Sequence, residues 1–138
     1  MLSRLLAVVV FVIAQNALAA PFPLVLIESF NDAKVIIYAK ESDIRNAPNW
    51  KPSDGAPPLS MENLITDIQK WNSLNPKFSD SRINEFELKP IVHYEKENRW
   101  YYLVQMKDTN KGKTGEHYLA VLMNGKVLPA VKKPASYK

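Results

Sequence analysis

The chain has 138 residues, a formal net charge of +4, 46% apolar and 23% charged side chains, and no cysteine. Length and balance describe one globular domain and exclude a disordered tail and a membrane bundle. The missing cysteine excludes a disulfide scaffold, a thiol nucleophile and Cys-ligated zinc or iron–sulfur sites, and the mild charge lacks a nucleic-acid footprint.

Met1–Ala19 reads as a secretory signal peptide. Arg4 is the positive flank, Leu5 to Ile13 the apolar run, and Ala17-Leu18-Ala19 a small-x-small cleavage site. The run is shorter than the ~20 apolar residues of a spanning helix. The expectation is a secreted, extracellular protein beginning at Ala20, with no membrane association after cleavage. Residues 20–131 then form a single α+β domain with a long loop at 41–59, and 132–138 form a loose tail. Without disulfides the domain is held by packing, for which three Trp, six Tyr and five Phe supply the area.

In chain order, Leu24–Ile27 is a short apolar run after two prolines, read as an extended N-terminus, and Asn31-Asp32 reads as a turn. Val35-Ile36-Ile37-Tyr38 is rich in β-branched residues and predicts a strand. The stretch 41–59 holds Pro48, Pro52, Pro57 and Pro58 and is read as irregular, with Trp50 as a candidate recognition anchor or a core cap. Ser60 is a good N-cap, and Met61, Leu64, Ile65, Ile68 and Trp71 recur at three- and four-residue spacing. They predict one helix, ended by Asn75-Pro76.

After the helix the period becomes two. Phe86, Leu88, Val92 and Tyr94 alternate with Glu85, Glu87, Lys89 and His93, predicting a strand with one wet face that Pro90 confines to a sheet edge. Glu97-Asn98 reads as a turn. Trp100, Tyr102, Val104 and Met106 alternate with Arg99, Tyr101, Leu103 and Gln105 in the next strand. Residues 108–115 read as a polar loop, Tyr118 to Met123 as a strand, and Asn124-Gly125 as a type I′ hairpin turn. Val127-Leu128 begins the return strand, which Pro129 limits. The expected fold is α+β, one helix packed on an antiparallel four- to five-stranded meander sheet.

There is no Gly-x-Ser-x-Gly elbow, His-Glu-x-x-His pair or phosphate-cradling Gly loop. His93 and His117 are the only imidazoles and read as ordinary strand residues; Glu85 and Glu87 read as a solvated pair. No catalytic residue, metal site or cofactor is expected. Contact chemistry remains: Arg and Trp are enriched at binding hot spots. The candidate partner-binding residues are Trp50, the hairpin Glu97, Asn98, Arg99 and Trp100, and the turn Asn124 and Gly125.

Over residues 60–124 the order of helix, strand, hairpin, strand, loop and strand resembles the cystatins. PIVHYEKENRWYYLVQMKD and GEHYLAVLM look like the central hairpin and following strands of cysteine-free plant or stefin-type members, with Tyr101-Tyr102-Leu103 and Lys70-Trp71-Asn72 as the closest local matches. The resemblance implies a cystatin-like scaffold. Cystatins inhibit papain-like proteases with an N-terminal Gly, a Gln-x-Val-x-Gly hairpin and a Pro-Trp hairpin. Here Tyr94-Glu95-Lys96-Glu97-Asn98 stands at the first hairpin, no Gly precedes Gly55, and Asn124-Gly125 comes without Pro-Trp. Nuclear-transport-factor-like and PepSY-like scaffolds fit the same order. The expected function is a secreted, non-enzymatic protein acting by contact with another protein, a host target or a protease, as an effector released onto another organism. The alternatives are a divergent inhibitor of papain-type proteases, and a small hydrolase or lipid carrier with a helix–sheet cavity.

Overall fold

The computed structural model describes residues 24–29, 33–110 and 113–134. The expected signal peptide, the expected Asn31-Asp32 turn, Lys111 and the last four residues lie outside them. The class is α+β: one long helix and a six-stranded antiparallel sheet in the order β1-β2-β6-β5-β4-β3. The strands are β1 (Leu24–Ser29), β2 (Ala33–Ala39), β3 (Arg82–Pro90), β4 (Trp100–Asn110), β5 (Lys113–Leu122) and β6 (Val127–Pro134). The helices are α1 (Glu41–Asn46) and α2 (Met61–Leu74).

Six strands replace the expected four to five. The added one is β1, an apolar run without alternation that pairs along its whole length with β2, Leu24 opposite Ala39 and Ser29 opposite Lys34. Strands β3 to β6 form the expected meander, but β2 joins it at β6. Strand β6 pairs with β5 from Val127 to Pro129 and with β2 from Ala130 to Pro134. Pro129 therefore marks a change of partner rather than the end of the strand; it has no N–H to offer a ladder. Lys132 and Lys133 lie opposite Val35 and Lys34, so the first residues of the expected tail belong to the sheet.

Helix α2 follows its local code. The Ser60 side chain accepts from the Asn63 N–H at 3.1 Å, and Asn75 closes the other end. Leu64 and Ile68 are buried, while Met61 and Ile65 at the margin of the stripe are exposed. The 41–59 stretch is more ordered than its prolines suggest. Residues 41–46 form α1, with the Lys40 N–H donating to Asp43 and an Arg45–Glu41 pair one turn apart at 2.9 Å. Six residues with one buried side chain, Ile44, are too few to display a helical period.

Three more boundaries move. Strand β3 ends at Pro90, at a sheet edge as expected, and Val92 and His93 lie in the connection 91–99 with His93 at φ 72°. The 108–115 loop is mostly hairpin, because Asp108, Thr109 and Asn110 pair with Gly115, Thr114 and Lys113. The Asn124-Gly125 hairpin is present, but it is not type I′. Gly125 is at φ 86° and Asn124 is not at positive φ. The Gly125 N–H donates to the Leu122 C=O at 2.8 Å and the Leu122 N–H to the Lys126 C=O at 3.0 Å. That is a type I turn closed by a left-handed glycine bulge.

The sheet curls until its edges meet. Glu28 of β1 accepts from Lys89 of β3 at 2.5 Å and from the Tyr101 hydroxyl of β4. Both parities of β4 are consequently buried: Tyr102, Val104 and Met106, with half-buried Trp100, face one side, and Tyr101 and Leu103, at 1% and 4% exposure, face the other. An open sheet would have left the second set wet.

Candidate functional site

The candidate contact residues gather at one end of the molecule, bridged by α1. Arg45 pairs with Glu97 at 2.9 Å, and Asp43 accepts from Lys126 beside Asn124-Gly125 at 2.6 Å. Within this end the candidate residues differ in exposure. Trp50 is buried, its backbone N–H donates to the Asn98 C=O at 2.9 Å, and its indole N–H donates to the Gly55 C=O at 3.2 Å. Its ring meets Trp100 edge-on, with centroids 5.4 Å apart. Trp50 is a core cap, because the α1 segment folds it back onto the start of β4. Asn98 is half-buried in the left-handed region at φ 54°, which Asn tolerates. Arg99 turns inward and donates to the Ala47 C=O. At the other turn Gly125 lies so close to Asp67 of α2 that a Cβ there would collide with the carboxylate. Glu95, Lys96, Glu97 and Asn124 remain exposed.

A second feature corresponds to the helix–sheet cavity of the third expected alternative, whose lining residues the sequence did not single out. Between α2 and the edge of the sheet lies a groove of about 340 Å³. Leu64, Ile65 and Ile68 form its helix wall, and Ile83, Phe86, Val104 and Met106 its sheet wall. It exists because α2 leaves the edge strand β3 partly uncovered, so Phe86 stays 38% exposed although it shares a face with buried Val104. A bulge between Ile83 and Glu85 keeps both Ile83 and Phe86 on that face. The polar residues of the lining are Gln69, Asn72, Ser81 and Arg82. Asn72 is the one buried polar residue among those described, at 7% exposure. Its Nδ2 donates to the Ser81 C=O at 3.4 Å, and its Oδ1 has no partner among the described residues. The sequence signal for the groove was the width of the α2 stripe: Met61 and Ile65 extend beyond what the sheet covers.

The remaining polar cluster is structural in form. Asp108 accepts from the Ser81 hydroxyl with one oxygen and contacts His117 Nδ1 at 2.9 Å with the other, and the His117 ring stacks on Phe78 at 4.2 Å. The carboxylate lies between Ser81 and His117, so the imidazole is not placed to take the serine proton as a nucleophile–base pair requires. His93 stands apart, exposed. Glu85 and Glu87 are exposed and border a shallow hollow with Leu103, Gln105 and Tyr118. Among the described residues no three His, Cys, Asp or Glu side chains converge as metal ligands, and no helix is long and apolar enough to cross a membrane.

Comparison with protein-family models, with curated proteins and with solved structures gave no match for this chain.

Proposed function

We propose that this is a secreted, non-enzymatic binding protein whose ligand site is the groove between α2 and β3. The observation that carries the reading is the groove itself. It is concave, its walls are mainly apolar with a few polar residues, and its volume lies in the range of small-molecule sites. Arg82 is the one ionisable residue in its lining, which suits holding a molecule better than acid–base work. Export rests on the Met1–Ala19 pattern.

The test is titration of the protein with N-phenyl-1-naphthylamine, a neutral dye that fluoresces in apolar surroundings. Saturation at one dye per chain, lost in Ile65→Trp, is expected. Ile65 is exposed at the groove wall, so the larger side chain fills the groove without entering the core. No binding, or binding indifferent to Ile65→Trp, overturns the reading.

Contact with another protein through the 91–99 connection is the second reading. Its support is a charged tip, Glu95, Lys96 and Glu97, held rigid by the Trp50–Asn98 bond and the Arg45–Glu97 pair. A rigid loop loses little entropy on binding.

A further inference from the structure

We infer that the edge of β3 beside the groove takes an extended peptide, added as a further strand, in which apolar residues alternate with basic ones. The inference rests on the ligand-binding reading above and names the groove's occupant as the apolar side chains of that peptide.

Strand β3 is the last of the sheet, so one of its edges has no strand partner among the described residues. That edge is not open along its whole length. The bulge between Ile83 and Glu85 interrupts it at one end. At the other, Lys89 is held by Glu28 of β1, and Pro90 has no N–H. Glu85 to Leu88 lies between. Unpaired backbone N–H and C=O groups in such a run are a template for another chain.

The two faces of this run differ. Successive residues of a strand point to opposite sides, and the register shows what each side holds. Phe86 lies opposite Val104 in the groove, across from Ile65 and Ile68. Glu85 lies opposite Gln105 and Glu87 opposite Leu103. These residues, with Tyr118, line a hollow of about 300 Å³ on the other face. Both carboxylates are exposed. Glu85 forms no ion pair among the described residues. Glu87 is 3.9 Å from Lys89, whose nearer partner is Glu28 at 2.5 Å. The acidic stretch ends at the bulge, beyond which Arg82 lies opposite Lys107.

An added strand presents its side chains alternately to the same two faces. Those on the groove face meet Phe86 and Ile65, both exposed. Those on the other face lie beside Glu85 and Glu87, where lysine or arginine makes cross-strand pairs. Among the polar residues of the groove, Gln69 and Arg82 are exposed and stay hydrated, and Asn72 and Ser81 bond to each other. A second copy of the chain fits the edge less well. Paired with Phe86 opposite Phe86, it sets Glu85 of each chain against Glu87 of the other, and like charges directly opposite are destabilising. Centred on Leu88, it draws on Lys89, which Glu28 already holds.

The experiment is fluorescence anisotropy of a labelled synthetic peptide in which lysine alternates with valine, titrated with the full protein. Binding is expected, about tenfold tighter than for the same peptide with glutamate in place of lysine. It should displace N-phenyl-1-naphthylamine, be lost in Ile65→Trp, and slow amide hydrogen exchange from Glu85 to Leu88. In the double variant Glu85→Lys, Glu87→Lys the preference should invert toward the glutamate peptide. The comparison of the two peptides on the wild-type protein stands by itself if that variant proves unstable. Equal binding of the two peptides, or binding that leaves the dye in place and the β3 amides unprotected, overturns the inference. Dye binding without peptide binding also overturns it and leaves the groove reading intact, whereas failure of both overturns both. Dimerisation in sedimentation that protects the same amides without peptide assigns the edge to a second copy and overturns the inference too.

Discussion

Glu28 and Lys89 belong to the two outermost strands of one sheet, β1 and β3, and they are joined by an ion pair of 2.5 Å. The pair ties one edge of the curl to the other across four intervening strands. Tyr101 donates to the other oxygen of the same carboxylate. Both charged side chains are well shielded, at 16% and 25% exposure, so removal of one leaves the other poorly solvated. Glu28→Gln should cost about 1–3 kcal/mol in urea unfolding. A double-mutant cycle with Lys89→Met should show coupling; strictly additive effects would mean the edges do not hold each other.

The same contact predicts an alkaline limit. Burial first, and then the hydrogen bond to the Glu28 carboxylate, push the Tyr101 phenol far above its ordinary value. The unfolded chain ionises its tyrosines near pH 10, whereas folded Tyr101 stays neutral. The stability this residue contributes is therefore complete below about pH 10 and is lost as the pH rises beyond it. Tyr101→Phe should cost about 1–2 kcal/mol at pH 7 through the lost hydrogen bond. It should also flatten the fall in stability above pH 10, read from unfolding curves across that range. An unchanged slope would mean that the phenol is not shielded.

Trp50→Ala is expected to destabilise by about 3–5 kcal/mol, the range for emptying a buried aromatic site. The indole caps the core against Trp100 and fixes the 41–59 segment through Asn98 and Gly55. Thermal melts check this. A loss below 1 kcal/mol would return Trp50 to the surface.

Two glycines at positive φ separate backbone strain from collision. Gly55, at φ 97°, has open space around its Cβ direction, and Gly125, at φ 86°, faces Asp67. Gly55→Ala should cost about 1–2 kcal/mol from the backbone alone. Gly125→Ala should cost about 1–2 kcal/mol more, and Asp67→Ala in the same chain should recover the difference. Denaturant midpoints of the three variants decide it.

Papain-type proteases should be inhibited weakly or not at all by this protein. The tip at Glu95 to Glu97 is charged, and a hairpin entering an apolar cleft loses binding energy to desolvation of such groups. Inhibition constants near nanomolar, about −12 kcal/mol, would show an inhibitory wedge built from other residues.

Local signals in the chain were enough for α2, for the Asn124-Gly125 hairpin, for the alternation of β4 and for the edge position of the Pro90 strand. Each depends on neighbours within a few residues: a side-chain cap at Ser60, a stripe at three- and four-residue spacing, a glycine free to adopt positive φ, a proline without an N–H. The exposed tip at Glu95 to Glu97 was also legible, since consecutive charges beside a turn do not bury. Tertiary structure alone decided that β2 pairs with β6, about a hundred residues further on, because strand pairing between distant segments leaves no local pattern. It also decided the curl that buries Tyr101 and Leu103, and the inward turn of Trp50. The groove is the clearest case. Leu64, Ile65 and Ile68 read as one core face, and only the placement of α2 over the sheet determines which of them the sheet covers and which it leaves lining an open site beside Phe86.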